Sequence, residues 1–379
     1  MYQSFTPPKR LLMGPGPTMV HSRVLEAAAR QTIGHLDPAF TELMEETKSL
    51  LKYAFQTENA MTMPVSAPGS AGMEMCFANL IEPGETAIVC INGVFGGRMK
   101  ENVERCGGHA VVVEDAWGQP VSIEKVEQAL EQHPETKLVA YVHAETSTGA
   151  LSDAQQITEL AHRYGALVIV DAVTSLAGVP LMVDKWQLDA VYSGSQKCLA
   201  CMPGLSPVTF NEAALDKVRS RSTRVQSWFL DLNLVMGYWN SDGGRSYHHT
   251  APVNAIYSLH EALLMLHEEG IENSWIRHRE NHLLLVEGLK AMNLEMLVPE
   301  KSRLPQLNTV KIPRGVDDAA VRKTLLEEFN LEIGAGLGDL AGKVWRIGLM
   351  GESSRKENVT YCLDALAQVI GDDQLTYAA

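Results

Sequence analysis

The stretch ALVIVDAVTSLAGVPLMVDKWQLDAVYSGSQK, residues 166–197, decides the fold. It opens on ALVIVDA (166–172), which is apolar at consecutive positions rather than at alternate ones. A strand reads that way when both of its faces are covered, as in a parallel sheet. DAVYSG (189–194) is a second run of the same kind. Asp171 closes the first run, and Gly194-Ser195-Gln196-Lys197 follows the second. The spacing, 197 − 171 = 26 residues, is about one strand–crossover–strand unit, so both charged residues fall on the same edge of the sheet. A carboxylate at the end of a buried strand is costly unless paired, so Asp171 is expected to face a cation.

Working outward, TAIVCI (86–91), AVVVED (110–115) and KLVAYVH (137–143) read as further covered strands, with a strand around 61–66 and a weaker one, VTF (208–210). SIEKVEQALEQH (122–133) and DAQQITELAHRYG (153–165) carry helical patterns between them; the second has Asp153 as N-cap and Gly165 as a stop. Alternation of this kind predicts a doubly wound α/β domain. After about residue 255 the chain turns helical, through SLHEALLMLHEEGIENSWIRHRENHLLLVEGLKAM. NTVKIP (308–313) and KVWRIGLMG (343–351) then read as strands around a helix at 317–329, and ENVTYCLDALAQVI as a closing helix. The expected division is an arm without regular elements at 1–20, with GPGP at 14–17, a large α/β domain at 21–269 and a small C-terminal α+β domain at 270–379.

The chain has 379 residues and a formal net charge of −14, which argues against nucleic-acid and anionic-membrane partners. Its 45% hydrophobic and 21% charged content is that of an ordinary globular enzyme. Cys76, Cys90, Cys106, Cys198, Cys201 and Cys362 read as reduced thiols. No secretory signal, targeting tail or apolar run of roughly 20 residues is evident, so a cytoplasmic protein is expected.

Open α/β sheets bind ligands beyond the carboxyl ends of their strands. SAPGSAGMEM (66–75) is a turn feeding a helix, either a phosphate site on backbone N–H groups or an ordinary strand-to-helix turn. It lacks the spacing of dinucleotide and P-loop motifs. In NGVFGGR (92–98), Phe95 sits among glycines in a flexible loop, as a stacking ring or a packing anchor. In AETSTGAL (144–151), Thr146, Ser147 and Thr148 either position a polar ligand or cap the helix at 153. An Asp that can pair a pyridinium nitrogen and a Lys that can form a Schiff base are what pyridoxal 5′-phosphate (PLP) needs of a protein. The CxxC at 198–201 is the competing redox or zinc reading, but no second CxxC or close Cys/His set completes four ligands, and no metal is expected.

Nine ordered motifs carry a resemblance: LLMGPGP (11–17), SAPGSAGMEM, NGVFGGR, AETSTGAL, VDAVTSLAG (170–178), YSGSQKCL (192–199), YHHTAPV (247–253), ENSWIRHRE (272–280) and KVWRIGLMG. Over nearly its whole length the chain resembles the alanine–glyoxylate (serine–pyruvate) aminotransferases, a branch of the class V, fold type I PLP enzymes. The resemblance implies a large domain with a mainly parallel seven-stranded sheet plus a smaller C-terminal α+β domain. It implies that Lys197 holds PLP as a Schiff base and shuttles the proton, and that Asp171 pairs the pyridine nitrogen. Gln196, Gly69 and Ser70 would bind the phosphate, Thr146 the ring hydroxyl, and Phe95 would stack on the ring, where the family often has Trp. Tyr247 and Thr250 would reach the cofactor phosphate of a second subunit, which makes a homodimer with shared sites part of the expectation. Arg346 would clamp the substrate carboxylate, and Gly16 of GPGP would line the entrance. Expected substrates are small amino and keto acids: L-alanine or L-serine as donor, glyoxylate or pyruvate as acceptor. The rivals are ureidoglycine–glyoxylate or pyridoxamine–pyruvate exchange, a cysteine desulfurase-like lyase, for which Cys362 is the sole small-domain thiol, and a non-enzymatic scaffold.

Overall fold

A computed structural model describes residues 2–239 and 245–371. The central sheet has seven strands: β1 (Met61–Val65), β2 (Thr86–Ile91), β3 (His109–Glu114), β4 (Leu138–Val142), β5 (Leu167–Asp171), β6 (Ala190–Tyr192) and β7 (Ser206–Phe210). Their order is β1-β7-β6-β5-β4-β2-β3. β7 is antiparallel to both neighbours and every other pair is parallel. Residues of β1, β4 and β7 are buried throughout, and the run of β4, LVAYV, is accordingly apolar without alternation. β3 departs from the expectation for AVVVED. It lies at the sheet edge and is largely open to solvent, with Val112 exposed.

Helices α1 (Pro38–Phe55), α2 (Gly69–Leu80), α3 (Val94–Arg105), α4 (Ile123–Gln132) and α5 (Ala154–Arg163) pack around this sheet. α5 begins as read: Asp153 Oδ1 accepts from the Gln156 N–H at 3.0 Å, satisfying a donor the first turn leaves free. α3 corrects the flexible-loop reading of NGVFGGR, because Phe95 lies in its first turn. The glycines permit contact rather than mobility: a Cβ at Gly96 would stand 2.6 Å from the Cys90 carbonyl oxygen of β2.

α6 (Val253–Glu269) and α7 (Ile271–Ala291) are separate helices, broken at Gly270, whose φ of 88° lies in the left-handed region. Beyond them β8 (Leu307–Lys311), β9 (Gly334–Ala335) and β10 (Val344–Gly348) form an antiparallel sheet of order β8-β10-β9. α8 (Asp318–Glu328) and α9 (Lys356–Ile370) contribute Leu325 and Leu366 to a second apolar core that surrounds Trp345. The first residues are not free of regular structure, as their composition suggested. Leu11–Leu12 pairs parallel with Leu331–Glu332, and Met13 is wholly buried in the second core. The apolar trio ahead of GPGP has a core to enter, which outweighs the breaking tendency of the prolines that follow.

Candidate active site

A cavity of about 200 Å³ opens at the carboxyl edge of β4, β5 and β6. Gly69, Ser70, Phe95, Thr146, Asp171, Gln196 and Lys197 all line it. Larger cavities lie elsewhere, one of about 520 Å³ around α6 and α7, so chemistry rather than volume singles this one out.

Asp171 is buried at the end of β5. One carboxylate oxygen accepts from the Val173 N–H and the other from the Tyr192 hydroxyl, each at 2.8 Å. Burial pushes its pKa up to about 6, against the opposing pull of those hydrogen bonds and of Lys197. Burial also pushes Lys197 down to about 8, with the positive charge of Arg346 adding to the fall. The Lys197 amine donates to the Pro15 carbonyl. Next to it Gly16 has φ 104°, and a Cβ there would lie 2.6 Å from Nζ. GPGP therefore seats the lysine itself, a closer role than lining an entrance.

α2 starts at Gly69 behind Pro68, and no side chain caps that start. Its first N–H groups and helix dipole face the cavity edge, an arrangement suited to an anion. Gln196 lines the same cavity, and its Oε1 is buried with no hydrogen-bond partner. An uncapped helix start, a buried carboxylate and a depressed amine around one cavity fit PLP.

Arg346 is the central residue of β10, paired with Thr309 of β8 and Gly334 of β9. Its Nε donates to Ala335 O at 2.6 Å and its Nη1 to Thr146 O at 3.1 Å. Nη2 and the second Nη1 proton remain available for a carboxylate, the paired geometry a guanidinium offers. Burial lowers its pKa to about 10, leaving it charged at neutral pH. Thr146 thus touches the arginine through its carbonyl while lining the cavity that Lys197 shares.

The comparisons with known proteins agree with this geometry. The family model for class-V aminotransferases matches residues 12–356. The chain belongs to the class-V aminotransferases. It is 40% identical to the alanine–glyoxylate aminotransferase of Callithrix jacchus over 365 residues, 96% of this chain and 88% of that one. The crystal structure of the alanine–glyoxylate aminotransferase of a Nostoc species superposes with a TM-score of 0.95 at 47% identity, covering 98% of both chains. The ureidoglycine–glyoxylate aminotransferase of Bacillus subtilis superposes equally well, TM-score 0.95, at 37% identity over 100% of this chain and 96% of that one.

In this class-V enzyme the sequence reading missed several groups. Glu145 is fully buried in the hairpin Ala144–Glu145/Ala150–Leu151. It accepts from the Ser147 N–H at 2.9 Å, the Ser147 hydroxyl at 2.6 Å and the Phe95 N–H at 3.3 Å. It thereby ties the turn bearing Thr146 to the helix start bearing Phe95, and burial pushes its pKa up to about 7. Tyr192 faces Asp171 because β5 and β6 place the two residues in register, a signal present in the spacing of the strands. Arg98, one turn past Phe95 on α3, holds its guanidinium 4.9 Å from the Phe95 ring centre.

Tyr247 and Thr250 do not line the cavity of their own chain. Both are exposed, Tyr247 at 65%. Their neighbour His249 reaches Ser66, just ahead of α2, at 2.7 Å. Cys198 and Cys201 are buried free thiols that burial pushes up to about 12. Cys362 lies inside α9, buried, and is likewise held at about 12. A desulfurase needs a thiolate that can reach substrate, and a helix-bound thiol of this kind does not supply one.

Proposed function

We propose that this class-V enzyme is PLP-dependent and moves an amino group from a small L-amino acid, L-alanine or L-serine, to glyoxylate or pyruvate. The observation that carries the reading is the Lys197 amine, depressed to about 8, beside Asp171 in one cavity, with Arg346 held by the same turn that lines it. When bound, PLP supplies an electron sink that labilises bonds at the α-carbon of an amino acid. Around it Asp171 keeps negative charge at the ring nitrogen, and Tyr192 holds the carboxylate in place. The α2 start would hold the phosphate through its N–H groups, and Gln196 would donate through its Nε2. Thr146 would meet the ring hydroxyl and Phe95 would cover the ring face. Arg346 would fix the substrate carboxylate and so bring the α-carbon proton toward Lys197. The neutral Lys197 amine would take that proton and later give it back, a task for which a pKa near ambient pH is best.

The relatives named for alanine and glyoxylate support the substrate pair. The exposed positions of Tyr247 and Thr250 support a homodimer in which each chain completes its partner's phosphate site. Six free thiols support a reducing compartment such as the cytoplasm. Among the described residues no helix is long and apolar enough to cross a membrane.

The test is a set of half-reactions on the cofactor-loaded protein. Alanine, serine and ureidoglycine are offered singly, and the visible absorbance is followed. Loss of absorbance with alanine or serine, restored by glyoxylate, is the expected result. A response to ureidoglycine alone would move the assignment to the activity named for the Bacillus subtilis relative.

A further inference from the structure

A second cavity, of about 650 Å³, opens between the turn after β4, the segment 179–186 and the first turns of α7. Trp186, Trp275 and Ile276 form its apolar wall. His143 forms part of its floor and is 3% exposed, and its Nδ1 is buried with no hydrogen-bond partner. The Nε1 of Trp275 is also buried without a partner. Buried polar atoms normally find partners, and here two residues of one cavity wall each carry a buried polar atom without one. Trp186 stands edge-on to His143, with ring centres 5.9 Å apart at 85°, an aromatic corner that a flat ring can complete. Burial lowers the His143 pKa to about 4, so its imidazole is neutral at physiological pH and can donate or accept.

The rim carries charge. Arg279 and Lys301 are exposed and form no ion pair among the described residues. Arg303 is turned to the Val298 carbonyl at 3.0 Å. Of the two carboxylates present, Asp153 is engaged in capping α5, and Glu272 belongs to the first turn of α7. Among the described residues two unpaired cations, Arg279 and Lys301, thus stand against one unpaired carboxylate, Glu272, and the unpaired charge of the rim is positive on balance.

We propose that this cavity binds a small aromatic carboxylate, its ring among Trp186, Trp275 and His143 and its carboxylate at Arg279 and Lys301. The site is separate from the catalytic clamp. It nevertheless shares a wall with it, since the backbone N–H of His143 donates to the backbone carbonyl of Asp171 at 3.0 Å and Leu151 of the Glu145 hairpin lines it.

The test is calorimetric titration of the cofactor-loaded enzyme with quinoline-2-carboxylate as probe. One saturable site per chain is expected. Affinity should fall roughly tenfold or more in Arg279→Glu/Lys301→Glu, both surface positions that leave the core intact, as loss of one charge-assisted contact implies. Affinity should be unchanged in Arg346→Ala. Absence of saturable heat up to a few millimolar overturns the proposal. So does binding that disappears in Arg346→Ala and survives in the double variant, because the probe would then occupy the catalytic clamp.

Discussion

Lys197 and Asp171 show how one cavity moves two groups toward each other. Burial lowers the base and raises the acid, so both titrate near neutrality. Only the neutral amine attacks an aldehyde. The rate at which apoprotein captures PLP should therefore rise with pH through about 8 and then level off, where an ordinary lysine would keep gaining up to 10.5. Stopped-flow absorbance checks this. Lys197→Ala should lower amino transfer by about 10²–10⁴-fold, the usual worth of a positioned acid–base group. Arg346→Lys keeps the charge but loses the planar fork. It should raise KM for the amino acid by roughly 10–100-fold, with a smaller effect on kcat in steady-state assays. Glu145 has its own signature. Its folded pKa, about 7, lies above its ordinary 4.5, so its contribution to stability is complete below 4.5 and lost as pH rises through about 7. The melting temperature of apoprotein Glu145→Gln, relative to the parent, should climb across that window, and a flat difference would remove Glu145 from this role. At this scale the residues after strand ends were legible in the sequence, because a strand end and its next residue are close in chain and in space. Glu145 and Tyr192 went unread. The first is fixed by its bond from the Phe95 N–H, 50 residues away, and the second by the register of β5 against β6.

Among the elements, α3 and its approach show what glycines do here. At Gly93, just before α3, an added Cβ would overlap the Glu145 carboxyl and the Ser147 hydroxyl. Gly93→Ala should cost about 1–3 kcal/mol by overpacking and loosen Phe95, which thermal unfolding and PLP affinity would both register. A sequence shows that a glycine is present but not whether it grants freedom or close contact, and for this reason NGVFGGR reads as a loop while folding as a helix start. The covered strands were legible for the converse reason, since burial on both faces writes itself directly into composition. AVVVED carries the same composition at an open edge, and only strand order reveals that. α1 went unread, although Asp37 ahead of Pro38 is a strong start signal: its side chain accepts from the Ala39 N–H at 2.9 Å.

For the whole molecule, the proposed homodimer makes a sharp expectation. If Tyr247 serves the partner's site, then mixing inactive Lys197→Ala chains with impaired Tyr247→Ala chains should restore activity. Each heterodimer would hold one intact site, made from Lys197 of one chain and Tyr247 of the other. Refolding the two variants together and assaying them settles this, since a Tyr247 that served its own chain would give no recovery. The sequence could suggest shared sites only through resemblance, because an exposed tyrosine leaves no mark of what covers it.

The first residues of the chain have a consequence of another kind. Met13 fills the core built by residues 285–370, its carbonyl accepts from Gly348, and Thr18 bonds back to the carbonyls of Gln196 and Met350. On the ribosome this segment emerges before any of its partners exist. It must wait, unpaired, through the translation of nearly the whole protein. The seat of Lys197 is therefore one of the last things the growing chain can finish, so an interrupted translation product would carry Lys197 without the surroundings that tune it.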